Sequence, residues 1–448
     1  MPSTFTTDTI DQIAKRLREP SWLTELRHSA LRTHAELPWP HPSDDIWRRT
    51  NVSLLDPGLG FSSADPALLR SLRLSEVELA GLTRPLGDEQ LLVRANGAWL
   101  IPPEISGVTV EELITAAQAR PEPIRSILES NGLTEAERKL VSLNAAFHQD
   151  DLVVRVPAGM TVERPVRLVR AFSIGDKEAI FPMTLITVGA GASVTLIEES
   201  ISIAPPAPGA TQTGRDSDHG HLINNRIELV LESDASVRYV RLQRWDARAR
   251  EFLLQRATLA KGASLTMANL TLGAALSKTH VMTRLMGPGA STTISGFVFG
   301  HGRQHVDQHT LQDHQAPHTT SDLQYRAALQ DESRMVYTGI IRIAKAAAQT
   351  NAYQANHNLL LSRTARAETI PMLEILADDV QCKHGASIGP VDDEQAFYLM
   401  SRGVPHEVAQ RLLVMGFIEP VLQQIPFAPL QERLREEIEG ELQSQRGS

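Results

Sequence analysis

Hydrophobic positions recur at helical spacing near both ends of the chain and at strand-like spacing between them, which divides it into three zones. Residues 1–150 read as mostly helical. Ile10, Ile13 and Leu17 share a helical face that Pro20 ends, and Trp22, Leu26 and Ala30 begin another. Thr134 and Glu137 have the spacing of a capping box ahead of Leu140, Leu143 and Phe147. One strand-like piece, 91–93, interrupts this zone. Pro-rich stretches at 38–42 and 121–123 read as connectors.

Residues 151–390 carry short β-type runs with weak helical periodicity: 152–156, 166–172, 184–188, 194–197, 227–231, 237–242, 252–254, 294–298 and 340–343. A turn signal punctuates them. It reads Gly191-Ala-Ser-Val, Asp234-Ala-Ser-Val, Gly262-Ala-Ser-Leu, Gly289-Ala-Ser-Thr and Gly385-Ala-Ser-Ile, and Asp234, Gly262 and Gly289 follow one another at 28 and 27 residues. Glycine and aspartate accept the left-handed backbone of a tight turn, and a small residue follows easily. Recurrence near this period predicts a β-solenoid with one coil, or part of one, per repeat. The alternative is chance, because Gly-Ala-Ser is a common turn tripeptide. Residues 204–221, polar and rich in Pro and Gly, read as a flexible insertion between two strands.

Helix returns over 391–448. Asp392 with Gln395 caps a first helix, Pro405 suits the start of a second carrying Val408, Leu412 and Met415, and Pro420 and Pro426 break the pattern. Leu430, Leu434, Ile438 and Leu442 form one stripe on a last, acidic helix. That stripe packs on its own domain or docks a partner.

Composition narrows the function. A chain of 448 residues fits two or three domains, and its 42% apolar content is ordinary for a globular protein. No apolar run of about 18 residues predicts a membrane span, and the first twenty residues lack the pattern of a secretory leader. A net charge of −9 argues against nucleic acid as the main partner. A single cysteine excludes an internal disulfide, points to a reducing, cytoplasmic setting, and falls short of the four thiolates usual for a self-contained iron–sulfur cluster. Walker A, dinucleotide, HExxH and nucleophile-elbow motifs are all missing from the sequence.

Two constellations could carry chemistry. His301, His305, His309, His314 and His318 cluster in one segment, as metal ligands or as hydrogen-bonded solenoid residues. Neighbouring glycines and Pro317 disfavour a helix there. On a strand, His305 and His309 share a face, as do His314 and His318. The only cysteine, Cys382, stands two residues before His384, so a strand would place thiol and imidazole side by side. This pair is a soft-metal ligand set, a Cys–His nucleophile, or a buried small residue beside a hydrogen-bonding one.

Several segments resemble the SufB/SufD family of iron–sulfur cluster assembly proteins. PMLEILADDVQCKHGASIGPVDDEQAFYLMSRG (371–403) is similar to the family's C-terminal signature. TGIIRIAKAAAQTNAYQANHNLLLS (338–362) and DHQAPHTTSDLQYRAAL (313–329) match it upstream, and EPSWLTELRHSALRTHAELPWPHPSDDIWRRTNVSLL (19–55) resembles its entry motif. The resemblance covers nearly the whole chain, in order. Two departures set the branch. SufB-like chains carry a cysteine where 361–369 has none and a glutamate where Gly385 stands, so the pattern is SufD-like.

The resemblance implies a right-handed parallel β-helix core over 151–390, flanked by helical regions at 1–150 and 391–448. It implies a non-catalytic scaffold that pairs with SufB through the β-helix and docks the ATPase SufC through the C-terminal helices. It places His384, then Cys382, at the SufB interface as ligands to a transient iron–sulfur cluster, with no cofactor bound stably by this chain alone. Phe397, Tyr398, Ser401, Arg402 and Gly403 fall in the SufC-docking segment. Two other readings stand beside this one: a homodimeric scaffold, which would offer only two thiolates, and a β-helix enzyme of the polysaccharide-lyase kind, which would need a carboxylate pair or a basic residue in a cleft.

Overall fold

The structure, a computed structural model, describes residues 5–64, 74–130, 132–203 and 220–444. Its centre is the parallel solenoid that the turn repeat predicts. Successive strands alternate between two sheets. One runs from Leu152–Val156 through Met183–Val188, His221–Leu231, Ala249–Leu259, Leu276–Leu285, His305–His314 and Arg334–Ile343 to Arg366–Ile375. The other runs from Val166–Phe172 through Ser193–Ser202, Ser236–Arg244, Ser264–Thr271, Ser291–Gly300, Thr320–Leu329 and Thr350–Leu360 to Val380–Pro390. Registers are continuous: Ser236 lies beside Ser264, Ser264 beside Ser291, and Ser291 beside Thr320.

The turns between the sheets explain the repeat. Gly191, Asp234, Gly262 and Gly289 all hold positive φ, from 61° to 74°, and His318 and Gln349 take the same place at 58° in later coils. Each amide donates to a carbonyl of the next coil's turn: Gly191 to Ser233, Asp234 to Lys261, Gly262 to Pro288, Gly289 to Pro317 and His318 to Ala348. The small residue that follows each of the four sequence-marked turns (Ala192, Ala235, Ala263, Ala290) is buried. The fifth sequence match behaves differently, because Gly385 lies inside the strand Val380–Pro390 with no positive φ. The long interval from Gly191 to Asp234 contains the insertion read at 204–221, of which 204–219 lie outside the described residues.

Helices cover the outer faces. Ile10, Ile13, Trp47, Leu140 and Phe147 pack on Leu222, Phe252, Leu254 and Leu276 of the first sheet. Val414, Ile418, Leu422, Leu430, Leu434 and Ile438 pack on Val240, Leu242, Leu270, Phe297 and Phe299 of the second. The stripe on the last helix, Ala428–Ser444, is therefore spent on its own domain. The helix His406–Leu422 continues through Pro420. Pro420 therefore does not break the helix as expected: it stands two residues before the end, where buried Val421 and Leu422 complete the final turn.

The two ends differ. At the N-terminal end the antiparallel strands Ala98–Ile101 and Thr109–Glu112, beyond the one piece marked at 91–93, pair with Gln90–Ala95 and Leu152–Val156 and close the sheets with short edges. At the other end Arg366–Ile375 and Val380–Pro390 are each paired on one side only among the described residues.

Candidate functional site

The strand Val380–Pro390 carries Cys382 and His384 at this open end. Cys382 lies beside buried Ala352, and His384 beside buried Gln354. Since residues i and i+2 share a face, both side chains continue the inward-facing rows of the solenoid. Cys382 is half-buried, packed with Val380 against Ile341, Ile343 and Ala347. Burial pushes its thiol up, so the proton stays on at neutral pH until a metal or electrophile displaces it. His384 is exposed. The imidazole is thus at the mouth and the thiol one step inside.

Exposed apolar side chains lie on the same two end strands and just after the first of them. Leu376 is 70% exposed, and Leu373, Ile375 and Ile388 are also open to solvent on the two end strands. Asp392 then caps the helix Asp393–Ser401 by accepting from the Glu394 and Gln395 amides, as the sequence predicts. Phe397 and Tyr398 on that helix are 71% and 58% exposed. Arg402 lies over the Tyr398 ring in a cation–π contact, 5.2 Å from its centroid, and Ser401 donates to the Tyr398 carbonyl. Gly403, at φ 88°, turns the chain toward the next helix. All five residues are on the surface.

The histidine run does not converge. His301 lies in a turn, His305 and His309 are buried on the helix-covered face of His305–His314, His314 is buried within the solenoid, and His318 occupies an exposed left-handed turn. His318 therefore shares no strand face with His314. Instead His309 lies in a cluster with His280 on the neighbouring strand, which the sequence does not single out, and Glu137, which the sequence marks only as a helix cap.

His314 gives a solution test of this interior. Its two nitrogens lie 2.8 Å from the Thr319 and Ser321 hydroxyls, and burial lowers its pKa from 6.5 to about 4. Between these values the unfolded chain binds a proton that the folded chain refuses. Stability therefore rises with pH across this window and is lost as pH falls below 6.5, by at most about 1.4 kcal/mol per unit. His221, also lowered to about 4 by burial, adds a like slope. Urea unfolding at pH 7, 6 and 5 should show the decline, and His314→Asn should reduce the pH 7-to-5 difference by up to about 2 kcal/mol. An unchanged slope in the variant would remove His314 from this role.

No helix among the described residues is long and apolar enough to cross a membrane. Residues 172–417 match the SUF system FeS cluster assembly, SufBD core domain, and residues 99–168 match the SufBD protein N-terminal region. A SufBD family iron–sulfur cluster assembly protein of Synechocystis is 29% identical, with 93% of this chain and 91% of the relative aligned. The iron–sulfur cluster assembly protein SufD of Bacillus subtilis is 28% identical, with 96% of each aligned. A SufBD family protein of Staphylococcus epidermidis is 24% identical over 94% of this chain and 90% of its own length. With the core match alone spanning more than half of its residues, the chain belongs to the SufBD family of iron–sulfur cluster assembly proteins and is SufD-like.

Proposed function

We propose that this protein is a non-catalytic scaffold subunit of a cytoplasmic SUF-type assembly complex. It pairs with a SufB-like subunit through the open end of the solenoid and docks a SufC-like ATPase through the segment from Phe397 to Gly403. The nascent iron–sulfur cluster is cargo, held transiently between subunits. His384 contributes an imidazole to it and Cys382 stands behind as the second donor.

One observation carries this reading: the ligand pair lies on an edge strand paired on one side only, and the two end strands expose apolar side chains. Such an edge is a template for pairing with another strand, and natural proteins seldom leave one apolar and open. A ligand pair on it becomes part of whatever interface forms. Phe397 and Tyr398, projecting from the next helix, suit a separate docking surface, since exposed aromatics are the residues most often used as interface anchors. ATP-driven movement of a partner bound there would pull on the chain directly after the cluster-facing strand. The enzymatic reading finds less support, because helices cover most of the outer solenoid faces where a catalytic cleft would lie.

The test is co-expression with SufB-like and SufC-like proteins of the same organism, with the complex weighed by native mass spectrometry. One copy of this chain, one SufB and two SufC are expected. His384→Ala should assemble normally and lose at least about tenfold in cluster formation, as expected when a ligand is removed. Phe397→Ala with Tyr398→Ala should lose the ATPase and keep SufB. A chain that stays a homodimer and ignores both partners would overturn the assignment.

A further inference from the structure

The geometry points to a second site, unrelated to the open end: we propose that Glu137, His280 and His309 bind one divalent first-row cation, zinc by donor set and spacing, which fastens the N-terminal helical layer to the solenoid. His280 and His309 face each other in register on adjacent strands, Leu276–Leu285 and His305–His314. Their Nδ1 atoms are 3.3 Å apart. Glu137, three residues past the cap of the helix Glu135–Phe147, brings Oε1 to 2.9 Å from the His280 Nδ1. All three donor atoms lie within 4.8 Å of one another, and the three residues are at most 3% exposed.

These distances suit a metal. Tetrahedral zinc with bonds of about 2.0–2.1 Å holds its ligand atoms roughly 3.3 Å apart, so the two sides that meet at His280, 2.9 and 3.3 Å, already match a ligand set to within tenths of an ångström, and the Glu137–His309 side, within 4.8 Å, closes by a small shift of the Glu137 side chain. Two imidazoles and a carboxylate form a common donor set for zinc and its neighbours. The environment also fits. The other carboxylate oxygen of Glu137 is fixed by the Thr134 amide at 2.8 Å and hydroxyl at 3.0 Å, which orients the free one. Burial holds both imidazoles below their usual range, leaving them in the neutral, ligating form. Burial also opposes the Glu137 charge, but the hydrogen bond from His280 and the cap outweigh it and keep the carboxyl below the usual range. The nearby Lys278 ammonium is neutralised by Asp307 at 2.8 Å and does not face the site as a free cation.

Metal-free, the cluster is frustrated. A proton on one Nδ1 leaves the other nitrogen and the Glu137 Oε1 competing for the same hydrogen, whereas the two Nε2 atoms, buried without a partner among the described residues, are unchanged by a cation on the Nδ1 side. A cation at the centre satisfies three inward lone pairs at once. Trp47, 4.8 Å from the His280 ring, and Phe252, 5.7 Å from it, wall the site from water.

The experiment uses the full chain carrying Cys382→Ser and His384→Ala, so that metal at the open end does not contribute. Unfolded protein is refolded with zinc or with cobalt(II), then exchanged into metal-free buffer. Expected are one zinc per chain by elemental analysis, a raised Tm, and tetrahedral cobalt d–d bands without a thiolate charge-transfer band. His309→Gln, checked for folding by circular dichroism, should lose the bands and the Tm gain. Refolded protein that retains neither metal, with Tm unmoved by either, overturns the proposal whether or not the variant folds.

Discussion

Replacing Glu251 by alanine is expected to cost about 3–5 kcal/mol of unfolding free energy, because it strands a buried cation. Glu251 is fully buried inside the solenoid. It pairs with Arg241, itself 1% exposed, and accepts from Trp245 Nε1 at 2.9 Å, Ser277 Oγ at 3.1 Å and Gln243 Nε2 at 3.3 Å. Arg241 and Gln243 come from one sheet and Ser277 from the other, so one carboxylate ties both walls together. Urea unfolding measures the loss. The double variant Glu251→Leu, Arg241→Met should cost less than Glu251→Ala, since it removes both charges rather than one. A single variant within about 1 kcal/mol of the parent, the range of an exposed pair, would show that water reaches this interior.

Gly296→Val should be as damaging for the opposite reason, excess volume. Gly296 faces the interior next to Tyr325, whose ring occupies the space a side chain would need. A Cβ there would sit 2.1 Å from Tyr325 Cε1. The ring cannot swing away, being 1% exposed and packed on Tyr337 with centroids 5.5 Å apart. Overpacking of this kind costs about 3 kcal/mol or more when rings and backbone must shift, and the expected readout is insoluble protein or a strongly lowered Tm. Gly440→Ala is the control. It lies exposed in the last helix with nothing within 4 Å of the added carbon, and should gain about 0.5–1 kcal/mol from helix propensity. Equal Tm values for Gly296→Val and the parent would contradict the packing described.

The half of the solenoid with an apolar interior is legible in the sequence, and the later half only in part, at 294–298 and 340–343 inside the strands Ser291–Gly300 and Arg334–Ile343. Runs such as 166–172 and 237–242 sit inside the strands Val166–Phe172 and Ser236–Arg244 because valine and leucine line them. The strands His305–His314 and Thr350–Leu360 carry Gln308, Thr310, Gln312 and His314, or Gln354, Asn356 and Asn358, on their inward faces, where the alternation rule expects hydrocarbon. Those groups are buried because they find one another across coils, as Gln312 does with Ser321 at 2.7 Å and Thr310 with Tyr337 at 2.9 Å. No local pattern records such pairings. The Cys382–His384 pair is readable because its spacing is local. Glu137, His280 and His309 are not, since only the coil register and one docked helix bring them together.

The proposed pairing at the open end would tie this chain's solubility to the supply of its partner. Among the described residues the two last strands each keep one edge without a partner, with Leu376 and Ile388 exposed, which is the kind of template a further strand pairs with. A partner that occupies the end adds its binding free energy to the fold, about 2.7 kcal/mol at a hundredfold excess over Kd. Chain synthesised beyond the amount of that partner forfeits this increment and keeps its adhesive edge. On the proposed pairing, surplus molecules are the ones expected to aggregate or be degraded, which would make matched dosage of the two subunits a consequence of the geometry of the last two strands.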